Sequence, residues 1–130
     1  MLEELLTETI EAIFDTLPVD LTFVDDTDTA RYYSKGEERI FRRTPAVIGR
    51  KVQDCHPQKS LHKVEQVVSE LKSGRKNVAE FWIDLKGRKV YIRYFAVRDK
   101  TGKYLGTLEV TQDITDLQKI EGEKRLLDEG

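Results

Sequence analysis

Between residues 78 and 111 the chain alternates apolar and polar side chains in three successive runs, each joined to the next by a tight turn. Val78 to Lys86 puts Ala79, Phe81, Ile83 and Leu85 on one side, and Val90 to Arg98 does the same with Val90, Ile92, Tyr94 and Ala96. Gly87 marks the first turn, and Asp99, Lys100, Thr101 and Gly102 form the second, ahead of a final run from Tyr104 to Thr111. A period of two is the mark of a half-buried strand. Strands joined by turns this short must be antiparallel neighbours. The second half of the chain is therefore committed to a sheet, and the rest must cover it.

The covering segments are legible in outline. Apolar residues at positions 2, 5, 6, 10, 13, 14 and 17 have helical spacing, and Pro18 stops that helix at Leu17. Leu21 to Val24 and Ala30 to Ser34 read as a hairpin around the polar turn at Asp25, Asp26 and Asp28. A short helical turn is expected over Glu37 to Phe41, followed by the breakers Pro45, Gly49 and Pro57. Ser60 to Lys72 reads as a longer helix with Leu61, Val64, Val68 and Leu71 on one face, ended by Gly74. Asp113, Ile114 and Thr115 open a second charged helix, with Leu117, Ile120, Lys124 and Leu127 spaced as a short, imperfect heptad seam weakened by Gly122. The class is α+β, with five strands and helices between two antiparallel runs.

Composition removes several functions. The chain has 130 residues, enough for one domain with one core, and its formal net charge is -2. That balance gives no general attraction to nucleic acid or to an anionic membrane. The basic residues Arg39, Arg42, Arg43, Arg50 and Lys51 read as a solvated or ion-paired face. No apolar run reaches the ~20 residues of a membrane span. The start is acidic where a secretory signal would be basic. A single cysteine, Cys55, precludes an internal disulfide and fits a cytoplasmic setting. There is no nucleophile elbow, P-loop or zinc-protease motif, so no catalytic residues are assigned and no enzyme is expected.

The order and spacing of four features resemble a PAS domain. They are Ile48, Gly49 and Arg50 between short central segments; Lys72, Ser73 and Gly74 at the end of the long helix; Val97 to Gly102 at the last turn; and Leu105 and Gly106 followed by Asp113, Ile114 and Thr115. The likeness is nearest to a less-studied group found in bacteria and archaea, sometimes beside hemerythrin-like domains. It implies a PAS domain over residues 18–115, an N-terminal amphipathic helix over 1–17 and a signalling helix over 116–130. The resemblance further implies a five-stranded antiparallel sheet with central helices on one face. It also implies a regulatory role, often as a homodimer, acting on an effector domain or partner protein. With no effector in the sequence, the chain reads as an excised piece or a stand-alone sensor.

A turn at Gly87 and Arg88 would pair Leu85 with Val90 and Ile83 with Ile92. By similarity to PAS domains, Phe81, Ile83, Ile92, Tyr94 and Leu108 then face the central helices. Ile40, Phe41, Ile48, Val52, Leu61, Val64 and Val68 answer from the helical side. Two readings stay open for this apolar set: a filled core, or a pocket for a mostly apolar small molecule. Tyr94 and His56 are the polar groups such a ligand would meet. The opposite sheet face would carry Trp82, Tyr91, Arg93, Phe95, Val97, Thr107 and Glu109, with Trp82 and Arg93 stacked. Ile10, Ile13 and Phe14 of the first helix, or a second subunit, would cover it.

The cofactor is left unknown. Some PAS domains hold haem through a histidine on the central helix, and His62 lies there, but the helical wheel turns it away from the apolar face. Flavin photochemistry is disfavoured, because Val52 stands where the resemblance requires the reactive cysteine. Cys55 and His56 alone fall short of a zinc site. The leading expectation is a sensory module with a ligand-binding cavity. The others are a ligand-free dimerisation scaffold and, behind both, a haem-based gas or redox sensor.

Overall fold

The three alternating runs form the strands the pattern predicts, and the sheet is completed by the early hairpin. In the computed structural model, which describes residues 1–35, 39–51 and 58–128, the strands are β1 (Asp20–Asp25), β2 (Ala30–Tyr33), β3 (Val78–Leu85), β4 (Arg88–Arg98) and β5 (Tyr104–Asp113). All pairings are antiparallel and the order is β2-β1-β5-β4-β3. Among the described residues two α-helices accompany them, α1 (Thr7–Thr16) and α2 (Gln58–Ser73). The fold is α+β and PAS-like.

The hairpin turn falls at Lys86 and Gly87, so Leu85 pairs with Arg88, Ile83 with Val90 and Phe81 with Ile92. This corrects the expected register by two residues. A two-residue slip preserves side-chain parity, so the face assignment of β3 and β4 survives it. On β5 the parity is opposite to that expected. Glu109 is paired with Tyr94 and Thr22, and Leu108 with Phe95 and Phe23. Glu109 and Thr107 therefore lie on the α2 side, and Leu108 on the outer side.

Among the described residues, Leu21, Ala30, Leu71, Val90, Ile92 and Val110 are the buried apolar side chains of the core. Leu71 comes from α2, whose chain reverses at Gly74 with φ +80°. Arg98 Nη2 fastens that end by donating to the Leu71 carbonyl at 2.6 Å.

Three helical expectations need correction. The first segment is a 3-10 turn at Leu2–Glu4 followed by α1, with Leu6 extended between them. The expected turn at Glu37 to Phe41 falls partly outside the described residues, and its described part, Arg39 to Phe41, is not helical, with a bend at Ile40 and Phe41. The expected helix over 116–130 is replaced by a 3-10 turn at Leu117–Lys119 and irregular chain up to Asp128. Gly122 and Leu127 take positive φ there, and Ile120, Leu126 and Leu127 are exposed. An isolated apolar stripe has no packing surface to offset the entropy of helix formation.

Asp113, Ile114 and Thr115 instead tie the end of β5 to the start of β4. Asp113 Oδ2 pairs with Arg88 Nε at 2.7 Å, and its Oδ1 accepts from the Thr115 amide at 2.9 Å. Thr115 Oγ1 accepts from the Lys89 amide at 2.8 Å. The Arg88 guanidinium first, then the Thr115 hydroxyl and amide, hold the Asp113 carboxyl down at about 2. A depressed folded-state value makes this contribution present above the unfolded value of about 3.9 and lost as pH falls through the folded one. Asp113→Asn is accordingly expected to unfold more easily than the parent in urea at pH 6. The gap should shrink below about pH 4 and close near pH 2. A gap that stays constant across that range would remove Asp113 from the acid response.

Candidate functional site

Alternation puts every second side chain of the sheet toward α2, and the segment from Phe41 to Arg50 closes the same side. Between them lies a cavity of about 920 Å³. The sheet contributes Thr22 and Val24 from β1, Ala30 from β2, Phe81 and Ile83 from β3, Ile92 and Tyr94 from β4, and Thr107 and Glu109 from β5. α2 contributes Lys63, Val64, Val67 and Val68, and the loop contributes Phe41, Arg42, Arg43, Val47 and Arg50.

Seven of the residues proposed from sequence meet here: Phe41, Val64, Val68, Phe81, Ile83, Ile92 and Tyr94. Four do not line it. Leu108 is on the outer face by register. Leu61 is one turn before Val64 on α2, Ile48 is 42% exposed, and Ile40 is held through its amide, which donates to Asp20 Oδ2 at 2.7 Å. Val52 and His56 lie outside the described residues. The polar residues of the wall were missed by an apolar search. The signal that finds Thr22, Thr107 and Glu109 is the register of β1 on β5 and β5 on β4, which carries parity outward from Tyr94.

The cavity is mostly apolar, with an aromatic pair on its floor. The Phe81 and Tyr94 rings stack at 6.0 Å between centroids. Burial, and then the neighbouring Glu109 carboxylate, push the Tyr94 phenol well above its ordinary value, so it stays protonated and available as a donor. Arg43 Nη2 approaches Glu109 Oε1 at 3.6 Å, and that oxygen, buried, accepts no hydrogen bond among the described residues. Arg39, expected on a solvated or ion-paired face, is 8% exposed and belongs to the wall's support. It donates to the carbonyls of Leu21, Ser34 and Phe41 and to Thr22 Oγ1.

The outer face differs from expectation at one end. Phe14 of α1 packs on Tyr32 at 5.8 Å, and Asp15 accepts from the Lys35 amide, so α1 sits at the β2 edge. Ile10 is half-buried and Ile13 is exposed. At the far end Trp82 is 60% exposed. Trp82 meets Tyr91 edge-on at 6.3 Å, while Arg93 lies over Tyr91 and Phe95 rather than over Trp82. His62 is exposed on α2. Among the described residues no three His, Cys, Asp or Glu side chains gather as metal ligands. No helix is long and apolar enough to cross a membrane among those residues.

Comparison with known proteins agrees with this architecture. A family model described as PAS domain matches residues 10–115. A C-terminal domain from Streptococcus mutans is 37% identical, with a TM-score of 0.84 over 90% of this chain and 91% of that one. VqmA bound to DPO is 20% identical, with a TM-score of 0.60 over 85% of this chain and 59% of that one. The PAS domain of the histidine kinase ThkA is 17% identical, with a TM-score of 0.56 over 75% of this chain and 100% of that one. A search of curated proteins finds no match.

Proposed function

The chain belongs to the PAS domain family of sensory and regulatory modules, and from that premise we propose that it senses a small, mostly apolar molecule held between its sheet and α2. One observation carries the reading: beside the few packed core side chains, the side of the sheet that faces α2 borders a partly open cavity of about 920 Å³. That volume is in the range of small-molecule sites, and its lining of apolar side chains with a few polar groups is typical of them. VqmA, solved with DPO bound, is a structural neighbour that supports the same use of the fold.

Transmission follows from the sheet order. β5 is central, its cavity side presents Thr107 and Glu109, and its end at Asp113 is clamped to Arg88 of β4. A ligand that favours one packing of this wall biases the chain beyond Thr115, where an effector domain or partner protein would read the change. We assign the module no catalysis and place its action in the cytoplasm.

Native mass spectrometry of gently purified protein tests the reading. Extra mass on the folded chain, released on denaturation, is expected. Val68→Trp, which projects an indole into the cavity from α2, is expected to remove that mass while leaving the circular dichroism spectrum unchanged. Retention of the mass by a folded Val68→Trp protein would move the ligand elsewhere.

A second reading has its own observation. Trp82 is 60% exposed on an aromatic outer face that α1 leaves open, as a self-association surface would be. A homodimer through it predicts a bare mass of twice 15.1 kDa, returned to the single mass by Trp82→Glu.

A further inference from the structure

We propose that the cavity selects a molecule with an apolar body and an anionic head, a carboxylate or a phosphate, seated against Arg43. The inference rests on the cavity being a ligand site, and it deepens that reading by naming the ligand's chemistry.

The charge around the cavity is lopsided. Arg42, Arg43, Arg50 and Lys63 line it, against Glu109 as the one lining carboxylate among the described residues. The whole chain is formally -2, so the excess of cations is local to this wall. All four cations come from the loop and α2, while the apolar side chains of β3 and β4 form the opposite floor. An elongated molecule can therefore place its two ends in different chemistries.

Arg43 is the cation best placed to read the head. Its side chain is 27% exposed, so its charge is only partly screened by water. Among the described residues it makes two long contacts: Nη1 donates to the Arg42 carbonyl at 3.4 Å, and Nη2 stands 3.6 Å from Glu109 Oε1. A guanidinium has five N–H donors in a fixed fork that matches two oxygens of a carboxylate or phosphate. Arg42 and Lys63 are exposed, and their charged groups have no hydrogen-bond or ion-pair partner among the described residues. They supply the surrounding positive field that attracts an anion. A ligand amine would instead find one lining carboxylate among the described residues, already facing Arg43, and repulsion from Arg42 and Lys63.

Three probes sharing one ring system separate the possibilities: 2-naphthoate, 2-naphthamide and 2-naphthylmethylammonium, titrated by calorimetry into the full chain at low salt. The carboxylate is expected to bind about tenfold more tightly than the amide, and the ammonium more weakly than either. Arg43→Met is expected to bring carboxylate and amide within about twofold of each other while leaving the amide's own affinity unchanged. Val68→Trp should abolish all binding, which separates the cavity from surface lysines. Tightest binding by the ammonium, or equal binding by the amide in the parent protein, overturns the anionic preference and leaves the cavity reading standing. Binding that persists in folded Val68→Trp overturns the assignment to this cavity. Absence of binding by all three probes overturns the cavity reading and this inference together.

Discussion

Arg39→Met is expected to lower the unfolding free energy by about 3–5 kcal/mol, the range for breaking a buried charge network by removing one partner. Small domains have about 5–15 kcal/mol in total, so the variant would be close to unfolding at ambient temperature. The reason is the number of groups that Arg39 satisfies at once. Nη1 donates to the Leu21 carbonyl at 2.8 Å and to the Ser34 carbonyl at 2.9 Å. Nη2 donates to Thr22 Oγ1 at 2.9 Å, and Nε to the Phe41 carbonyl at 3.0 Å. One side chain thus joins β1, the end of β2 and the loop that closes the cavity. The buried Asp20 carboxylate, 4% exposed, is the nearby anion whose field supports the guanidinium against the cost of burial. Methionine matches the bulk and removes both charge and donors. It leaves carbonyls short of partners and Asp20 without its countercharge. Arg39→Lys keeps the charge, but its three donors radiate from one nitrogen and cannot span all four acceptors, so it should recover less than half of the loss. Urea melts of the three proteins measure this. A Met variant within about 1 kcal/mol of the parent would show the network to be peripheral.

The same residue shows where sequence reading stops. Arg39 stands in a basic run with Arg42 and Arg43, and a charge run alone reads as a solvated or ion-paired face. What buries it is a convergence of acceptors from β1, β2 and Phe41, set by chain geometry that no local pattern encodes. The strands and α2 were legible because period and punctuation agree: alternation, Gly87, the Asp99 to Gly102 turn and Gly74 point to the same elements. The floor of the cavity was legible for the same reason, through Phe81, Ile83, Ile92 and Tyr94 on one side of β3 and β4. β5 misled because both of its sides are plausible. Leu108 is the more apolar choice for an inward position, yet the strand turns Thr107 and Glu109 to the cavity. The rule that the apolar side faces in presumes a filled core, and it fails where the interior is a half-polar cavity wall. The C-terminal seam failed for a simpler reason: its spacing was helical, but Ile120, Leu126 and Leu127 stay exposed.

Gly106→Ala is expected to be the most damaging single-methyl substitution in the sheet, destabilising by about 3 kcal/mol, at the upper end of overpacking. Gly106 pairs with Asp25 of β1 on one side and Val97 of β4 on the other, where the central strand has neighbours on both edges. A Cβ at this position would lie 2.2 Å from the Val24 carbonyl oxygen and 2.6 Å from Cζ of Phe23. The Phe23 ring can turn aside. The Val24 carbonyl cannot, because it belongs to the backbone of the paired strand. Relief therefore requires β1 to move away from β5, and that movement reaches the cavity through Val24 and Thr107, which are paired one step further along. Gly102→Ala is the control. Gly102 has φ +89° with no atom within 4 Å of the added Cβ, so its replacement should cost only the left-handed backbone penalty of about 1–2 kcal/mol. The expected order in thermal melts is parent, Gly102→Ala, Gly106→Ala, with the last lower than the parent by roughly 10–20 °C. Equal melting of the two variants would mean that conformation alone, and no close approach between β1 and β5, accounts for glycine at 106. A melt for Gly106→Ala within a few degrees of the parent would show that β1 yields readily. That outcome would make the cavity's β1 wall the compliant part of the sensor and β4 its fixed frame.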